Sequence, residues 1–184
     1  MKLNKLAMVL GLGVALTAGM ANAETHQGKG KVEFTGSIIN SVCSIKDNDL
    51  KVNLGEIASH TLRNGGSSHA TNFNIELRDC EMGTLKGVTA TFTGAEAQGS
   101  KKGLLAIQGQ DASGAEGAGI MITNHDNKHI PLDQKSNVMR LYDGSNNLNF
   151  SAKLVGLQQD GENKDAAIKT GAFMATANFV LNYE

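Results

Sequence analysis

The segment FMATANFVLNYE, residues 173–184, alternates between two kinds of side chain. One set is apolar or aromatic and comprises Phe173, Ala175, Ala177, Phe179, Leu181 and Tyr183. Because successive side chains of a β-strand point to opposite faces, the alternation predicts a long strand with one apolar face. Chain ends usually fray, so a core strand at this place needs a pairing partner on each edge. The sequence offers no later strand, and we expect the second partner to come from elsewhere.

A second alternating segment lies near the start of the chain. The stretch ETHQGKGKVEFTG, residues 24–36, places Gly28, Gly30, Val32 and Phe34 on one face. Glycine weakens a strand by roughly 0.5–1 kcal/mol and is kept where another backbone approaches closely. We therefore predict that these four residues form a donor strand, which inserts into another molecule. The alternative is a loose N-terminus followed by an ordinary first strand.

The first residues have the three parts of a secretory signal peptide. Lys2 and Lys5 precede an apolar run over residues 6–18, and Ala21 and Ala23 stand at positions −3 and −1 of a cleavage site. The run is too short for a membrane span. We predict a signal peptide at residues 1–23, a donor-strand extension at 24–35 and a single domain at 36–184.

Cys43 and Cys80 are the only cysteines, and both belong to the exported part. An oxidising compartment favours a structural disulfide between them. On the chain-entropy model, closing a loop of this length stabilises the fold by about 4 kcal/mol.

Composition and periodicity favour an all-β domain. The net charge is −1 and lysines and arginines are not clustered, so nothing indicates nucleic-acid binding. Glycine is abundant at 22 residues, and polar turn clusters separate short alternating segments. We predict strands near residues 50–54, 73–77, 88–93, 104–108, 120–123 and 150–157, and a β-sandwich of Greek-key type.

A sandwich that lacks its last strand would account for the patterns at both ends of the chain. The final strand would then line an open apolar groove, which is an aggregation hazard unless something fills it. The N-terminal strand of a neighbouring copy has the right pattern to fill it. Head-to-tail addition of this kind does not close on itself and gives an open filament.

Four motifs resemble one protein family. They are GKGKVEFTGSIINSVCSI at 28–45, LGEI at 54–57, FNIELRDC at 73–80 and ATANFVLNYE at 175–184. The sequence is similar to major subunits (pilins) of chaperone–usher fimbriae, the type 1 and P pilus class of Gram-negative bacteria. That family typically has a penultimate tyrosine and a glycine about fourteen positions from the end, which Tyr183 and Gly171 match.

This resemblance implies an incomplete immunoglobulin-like sandwich, a disulfide from the first strand to the next region, and polymerisation by donor-strand exchange. It also implies partners. A periplasmic chaperone would lend a strand to the groove and hold the carboxylate of Glu184 with basic residues. An outer-membrane usher would then exchange that strand for the extension of the next subunit. The expected product is an adhesive fimbrium at the cell surface, built from copies of this chain and other fimbrial subunits.

No catalytic motif supports an enzyme, and we predict neither a cofactor nor a metal. His125 and His129 could be imagined as metal ligands, but four-residue spacing aligns them only on a helix, and this stretch has the composition of a turn. Residues 143–147 resemble part of a calcium loop without its remaining ligands, and they too are predicted to form a turn.

Two other fimbrial roles remain open. A minor adaptor or terminator subunit would share the fold, although a terminator would lack either the extension or a usable groove. A tip adhesin usually carries an additional lectin domain, for which this chain has no room.

Overall fold

The computed structural model describes residues 30–36, 38, 41–99, 101–109, 111, 113–158 and 166–184. The predicted signal peptide and Gly28 lie outside the described residues. Ten strands follow in chain order: β1 Ser44–Ile45, β2 Thr71–Cys80, β3 Gly87–Thr93, β4 Leu105–Ala106, β5 Gln108–Gly109, β6 Ala118–Asn124, β7 Met139–Arg140, β8 Gly144–Gly156, β9 Phe173–Met174 and β10 Asn178–Tyr183. A 3-10 helix, Ser59–Gly65, lies between β1 and β2. No helix in the described ranges is both long and apolar enough to cross a bilayer.

The strands form two principal sheets, and all of their pairings are antiparallel. The first sheet has the order β1-β2-β8-β6-β4, and the second has the order β10-β3-β7. A small third sheet pairs β5 with β9. Neighbours in each sheet are often far apart in sequence, as β2 and β8 are, which is the connectivity of a Greek-key sandwich.

Three phenylalanines join the two main sheets. The ring of Phe92 on β3 packs edge-on against Phe150 on β8 at 5.2 Å and against Phe73 on β2 at 6.4 Å. Ile75 and Leu148, from the same central strands of the larger sheet, are fully buried beside them. The apolar positions of the alternating segments therefore form the core, as their period of two predicts.

The predicted disulfide is present. Cys43 bonds to Cys80, and both residues are buried in the core. The bond fixes β1 beside the end of β2, where Ser44 is opposite Arg78 and Ile45 is opposite Leu77.

Several predicted strands are confirmed, at 73–77, 88–93, 120–123 and 150–157, whereas 104–108 is divided between β4 and β5. The strand predicted at 50–54 is absent, because its residues have no ladder partner among the described residues. The single strand predicted from 173 is divided into β9 and β10, since its first part pairs with β5 and its second part with β3.

The turn predicted at 143–147 is wrong, because residues 144–147 belong to β8. Gly144 already belongs to β8 and pairs with Cys80 after an irregularity in the register. The side chain of Asn146 accepts the N–H of Tyr142 and donates to its carbonyl oxygen, which stabilises the reversal just before this strand.

Candidate subunit-interaction site

The last strand, β10, lies at the edge of its sheet and pairs with β3 alone among the described strands. Glu184 and Gly87 exchange both main-chain hydrogen bonds, at 2.9 and 3.0 Å. In an antiparallel ladder, bonded and non-bonded pairs alternate. The main-chain N–H and C=O groups of Phe179, Leu181 and Tyr183 therefore point away from β3, and these three residues form what we call the open edge.

The side chains of the open edge are only half-buried. They pack against the main core, as do Ala175 and Ala177, yet none of the five is fully covered. On the opposite face of the strand, Val180 is 54% exposed. The face of β10 that carries Phe179, Leu181 and Tyr183, which a completed sandwich would cover, is thus partly open to solvent.

A groove of about 630 Å³ continues the opening beside β9. One wall is formed by residues 52–57 and the other by residues 169–175. The floor is apolar, and its members include Leu62, Ile107, Ile120, Leu154 and Ile168. Space of this size above an apolar floor favours apolar side chains entering from outside.

The wall formed by residues 52–57 resembles a strand that has no neighbour. Leu54 and Ile57 are half-buried and Asn53 and Glu56 are exposed. No main-chain hydrogen bond joins residues 50–57 to another described residue. One local bond occurs here, in which the Asn53 side chain accepts the N–H of Gly55. The main chain on this side of the groove is therefore available for pairing.

The sequence-predicted groove residues are placed together. Gly171, Phe173 and Ala175 line the groove, Phe179, Leu181 and Tyr183 form the open edge, and Ala177 lies between the two groups. Sequence reasoning did not identify the floor. The five named floor residues come from five separate parts of the chain, and only the fold brings them together.

Glu184 holds the end of β10 in place. Its main-chain oxygen accepts the N–H of Lys86 at 2.7 Å, in addition to the pairing with Gly87. Its side chain accepts hydrogen bonds from Lys135 at 3.2 Å and from Thr89 at 3.3 Å. The C-terminal residue is therefore fixed against the beginning of β3.

The described part of the N-terminal segment is exposed. Val32 is 73% exposed and Phe34 is 91% exposed. Lys31 and Glu33 form an ion pair at 2.7 Å, which the two-residue period of an extended chain allows. Residues 30–36 have no regular secondary structure, as expected for a strand sequence without a partner.

The two segments weighed above as metal sites, residues 125–129 and 143–147, contribute to local hydrogen bonding. Asp143 accepts the main-chain N–H of Met82 at 2.8 Å. The side chain of Asn124 accepts the N–H groups of Asp126 and Lys128, which builds the turn containing His125. Within the described ranges, no group of three or more metal-ligating side chains comes together.

Two side chains with a shifted pKa lie outside the groove. Hydrogen bonds from Lys46 and Arg78 hold the pKa of Glu76 below its ordinary value. Burial lowers the pKa of His129. Neither Glu76 nor His129 lines the groove.

Known proteins resemble this chain in sequence and in fold. A family model described as Fimbrial protein matches residues 32–184. The chain belongs to the fimbrial protein family. It is 43% identical to the major MR/P fimbria protein of Proteus mirabilis strain HI4320, and the similarity covers all of both chains.

Two solved structures show the same fold. The P pilus rod subunit PapA is 27% identical with a TM-score of 0.66, over 78% of this chain and all of that chain. A subunit in a chaperone–usher pilus structure that explains rod uncoiling is 29% identical with a TM-score of 0.72, over 86% and 97% of the two chains. The fimbrial chain described here therefore has an incomplete immunoglobulin-like sandwich without its last strand, as predicted. It is a structural subunit of a fimbria.

Proposed function

We propose that this subunit forms the shaft of a surface pilus by donor-strand exchange, with residues 24–35 of one copy inserted into the groove and along the open edge of the next. The observation that carries the proposal is the open edge itself. Its main-chain groups are unpaired among the described residues, and its side chains are half-buried. Both deficits are of the kind that one added strand removes.

The extension has the side chains that such an exchange requires. Burying Val32 and Phe34 would contribute roughly 1.5–3 kcal/mol each. Each main-chain hydrogen bond along the open edge would add about 0.5–1.5 kcal/mol. Gly28 and Gly30 would lie where the groove is shallow, because they have no side chain to accommodate.

The proposed partners follow from the same edge. Before assembly, a periplasmic chaperone would lend a strand to the groove, with basic residues that hold the terminal carboxylate of Glu184. An outer-membrane usher would then catalyse replacement of that strand by the extension of the incoming subunit. Other fimbrial subunits with the same groove or extension could join the fibre. Assembly driven by added packing needs no enzyme activity and no cofactor in the subunit.

A shaft subunit needs both a donor segment and an acceptor groove. A terminator would lack one of them, whereas this chain combines the exposed Val32 and Phe34 with the open edge. Repeated head-to-tail addition of such units gives a long filament. The proposed export route is therefore through the periplasm to the cell surface, where the fibre mediates adhesion.

Electron microscopy of cells that produce a double variant, Val32→Asn with Phe34→Asn, tests the proposal. The variant subunit keeps its own groove, so it should accumulate with the chaperone in the periplasm while surface filaments disappear. The matched control is Lys31→Gln with Glu33→Gln, which changes the opposite face of the same segment and should leave filaments intact. Filaments of normal number and length from the Val32/Phe34 variant would rule out the exchange, and loss of only the filament tips would indicate an adaptor.

A further inference from the structure

A second cavity, of about 270 Å³, lies on the larger sheet and does not share residues with the groove. It is built on β2 and β8, whose register pairs Asn72 with Ser151 and Asn74 with Asn149. Phe150, between these positions, is buried in the core. Because side chains alternate along a strand, Asn72, Asn74 and Asn149 lie on the outer face of the sheet. We call this cavity the amide pocket.

The turn after β6 forms one rim of the amide pocket. His125 and Asn127 contribute to the lining from this turn. Asn127 adopts a positive φ of 59°, a conformation that asparagine tolerates better than most residues. The side-chain oxygen of Asn124 is engaged by the N–H groups of Asp126 and Lys128, so the rim is held by its own hydrogen bonds.

The amide pocket contains polar groups that the protein does not use. Asn72 and Asn149 are exposed, and their side chains make no hydrogen bond to another residue in the described part of the chain. Asn74 donates from Nδ2 to Asn147 at 3.0 Å, which leaves its own Oδ1 as an acceptor. Ser151 is engaged with Thr123 at 2.7 Å. On the sheet, the ligand-binding capacity therefore lies in three amide side chains, and the rim adds the polar side chains of His125 and Asn127.

The lining indicates which kind of ligand fits. None of the described lining residues is an aspartate, glutamate, lysine or arginine. Phosphates and carboxylates prefer arginine and lysine, and hard cations prefer carboxylates. Each amide instead presents a donor and an acceptor side by side, which matches neighbouring hydroxyl groups on a sugar ring.

We propose that the amide pocket binds a neutral saccharide unit of a glycan, with Asn72, Asn74 and Asn149 as its hydrogen-bonding residues. Contact at a single pocket of this exposure is expected to be weak. If the subunit forms a shaft, which rests on the function proposed above, each fibre repeats the pocket many times. Linked weak sites of this kind can strengthen attachment by 100-fold or more, on the order of the known effect of multivalency.

Saturation-transfer NMR tests the proposal with methyl glycosides of glucose, galactose, mannose and N-acetylglucosamine as probes. The purified protein can be used either as subunits or as fibres. The experiment detects the signals of the ligand, so the size of the protein assembly does not matter. At least one glycoside should receive saturation from the protein. Asn72→Ala and Asn149→Ala should each weaken binding about fivefold, the expected effect of one lost hydrogen bond.

The control is Asn137→Ala, an exposed asparagine outside the amide pocket, which should bind as the wild type does. Asn149→Asp keeps the shape of the side chain, removes its donor and should weaken binding as Asn149→Ala does. Equal melting temperatures of all four variants would exclude a folding defect. The proposal is overturned if no glycoside binds, if the pocket variants bind as Asn137→Ala does, or if inorganic phosphate binds in place of the glycosides. Filament formation by the pocket variants should be normal, so these outcomes are separate from those that test strand exchange.

Discussion

A side chain at Gly171 would overlap the main-chain carbonyl oxygen of Ser113, and its Cβ would also lie 2.8 Å from the carbonyl carbon of Gly114. The two segments touch through their backbones at one end of the groove. Only glycine permits this approach.

Gly171→Ala should therefore destabilise the subunit by about 1–3 kcal/mol, the usual cost of forcing extra volume into a packed site. Urea denaturation of the subunit measures this change. The control is Gly83→Ala, where the φ of 56° is also positive, as that of Gly171 is at 154°, but a Cβ would meet no atom within 4 Å. A smaller loss for Gly171→Ala than for Gly83→Ala would contradict the backbone contact.

Gly30 should behave in the opposite way. A Cβ at this position meets no described atom within 4 Å, so Gly30→Leu should leave the unfolding free energy of the subunit unchanged. In a donor strand the added side chain would obstruct the groove of the next copy, and polymerisation should slow while chaperone binding persists. Light scattering after mixing subunits with a strand-exchange partner measures the rate. Gly36→Leu, also at a position without close atoms, is the control and should polymerise normally.

The disulfide should account for a large part of the stability of the domain. Replacing both Cys43 and Cys80 by serine should lower the unfolding free energy by about 4 kcal/mol. Chemical denaturation with and without a reducing agent measures the effect. The reductant should destabilise the wild type and leave the double variant unaffected, and a response of the double variant would show that the loss has another origin.

Glu76 should contribute to the stability of the fold at neutral pH and lose that contribution in acid. Lys46 and Arg78 donate to its carboxylate at 2.7 and 3.0 Å, which lowers the pKa of Glu76 in the folded state. A carboxyl group whose pKa is lower in the folded state stabilises the fold at pH values above its pKa in the unfolded state. This stabilisation is lost as the pH falls towards its pKa in the folded state. The difference between wild type and Glu76→Gln should thus be present at pH 7 and shrink at pH 3. Glu81→Gln, at an exposed position without a described ion pair, should show no such dependence.

His129 should make the fold sensitive to milder acid. Burial, followed by the charges of Lys101 and Lys153, lowers the pKa of this imidazole, although a hydrogen bond with the backbone of Gly103 opposes the shift. Its Nε2 is buried without a partner among the described atoms. The unfolded chain therefore binds a proton at higher pH than the folded chain, and stability falls as the pH decreases through the ordinary histidine range. Melting temperatures between pH 8 and pH 5 should decline less for His129→Gln than for the wild type, and the exposed His125→Gln should behave as the wild type does.

The alternation of side chains predicted the central strands because their two faces meet different surroundings. In β2, for example, Ile75 and Leu77 are buried while the intervening Glu76 is half-buried. The same kind of pattern at Leu50 to Leu54 did not give a strand, since pairing depends on a neighbour as well as on sequence. Residues 173–177 show the same limit, because the change of partner between β9 and β10 is decided by the fold.

The amide pocket could not have been predicted from local sequence. Asn72 and Asn149 belong to different strands, and only the register of β2 with β8 brings them together. An asparagine in an alternating segment indicates an outward-facing position but not the residues beside it. By contrast, the residues of the open edge alternate along one strand, so the local pattern was enough to predict that strand.

The position of the disulfide determines how a fibre joined by strand exchange carries mechanical load. If residues 24–35 are inserted into the neighbouring subunit as proposed, tension would enter through them and pass along the chain to Val42, which accepts the main-chain N–H of Glu81, and to Cys43. From there a covalent bond transfers the pull to Cys80 at the end of the ten-residue strand β2. The two-residue pairing of β1 would thereby be relieved of shear, and the force would be distributed over the ladder between β2 and β8.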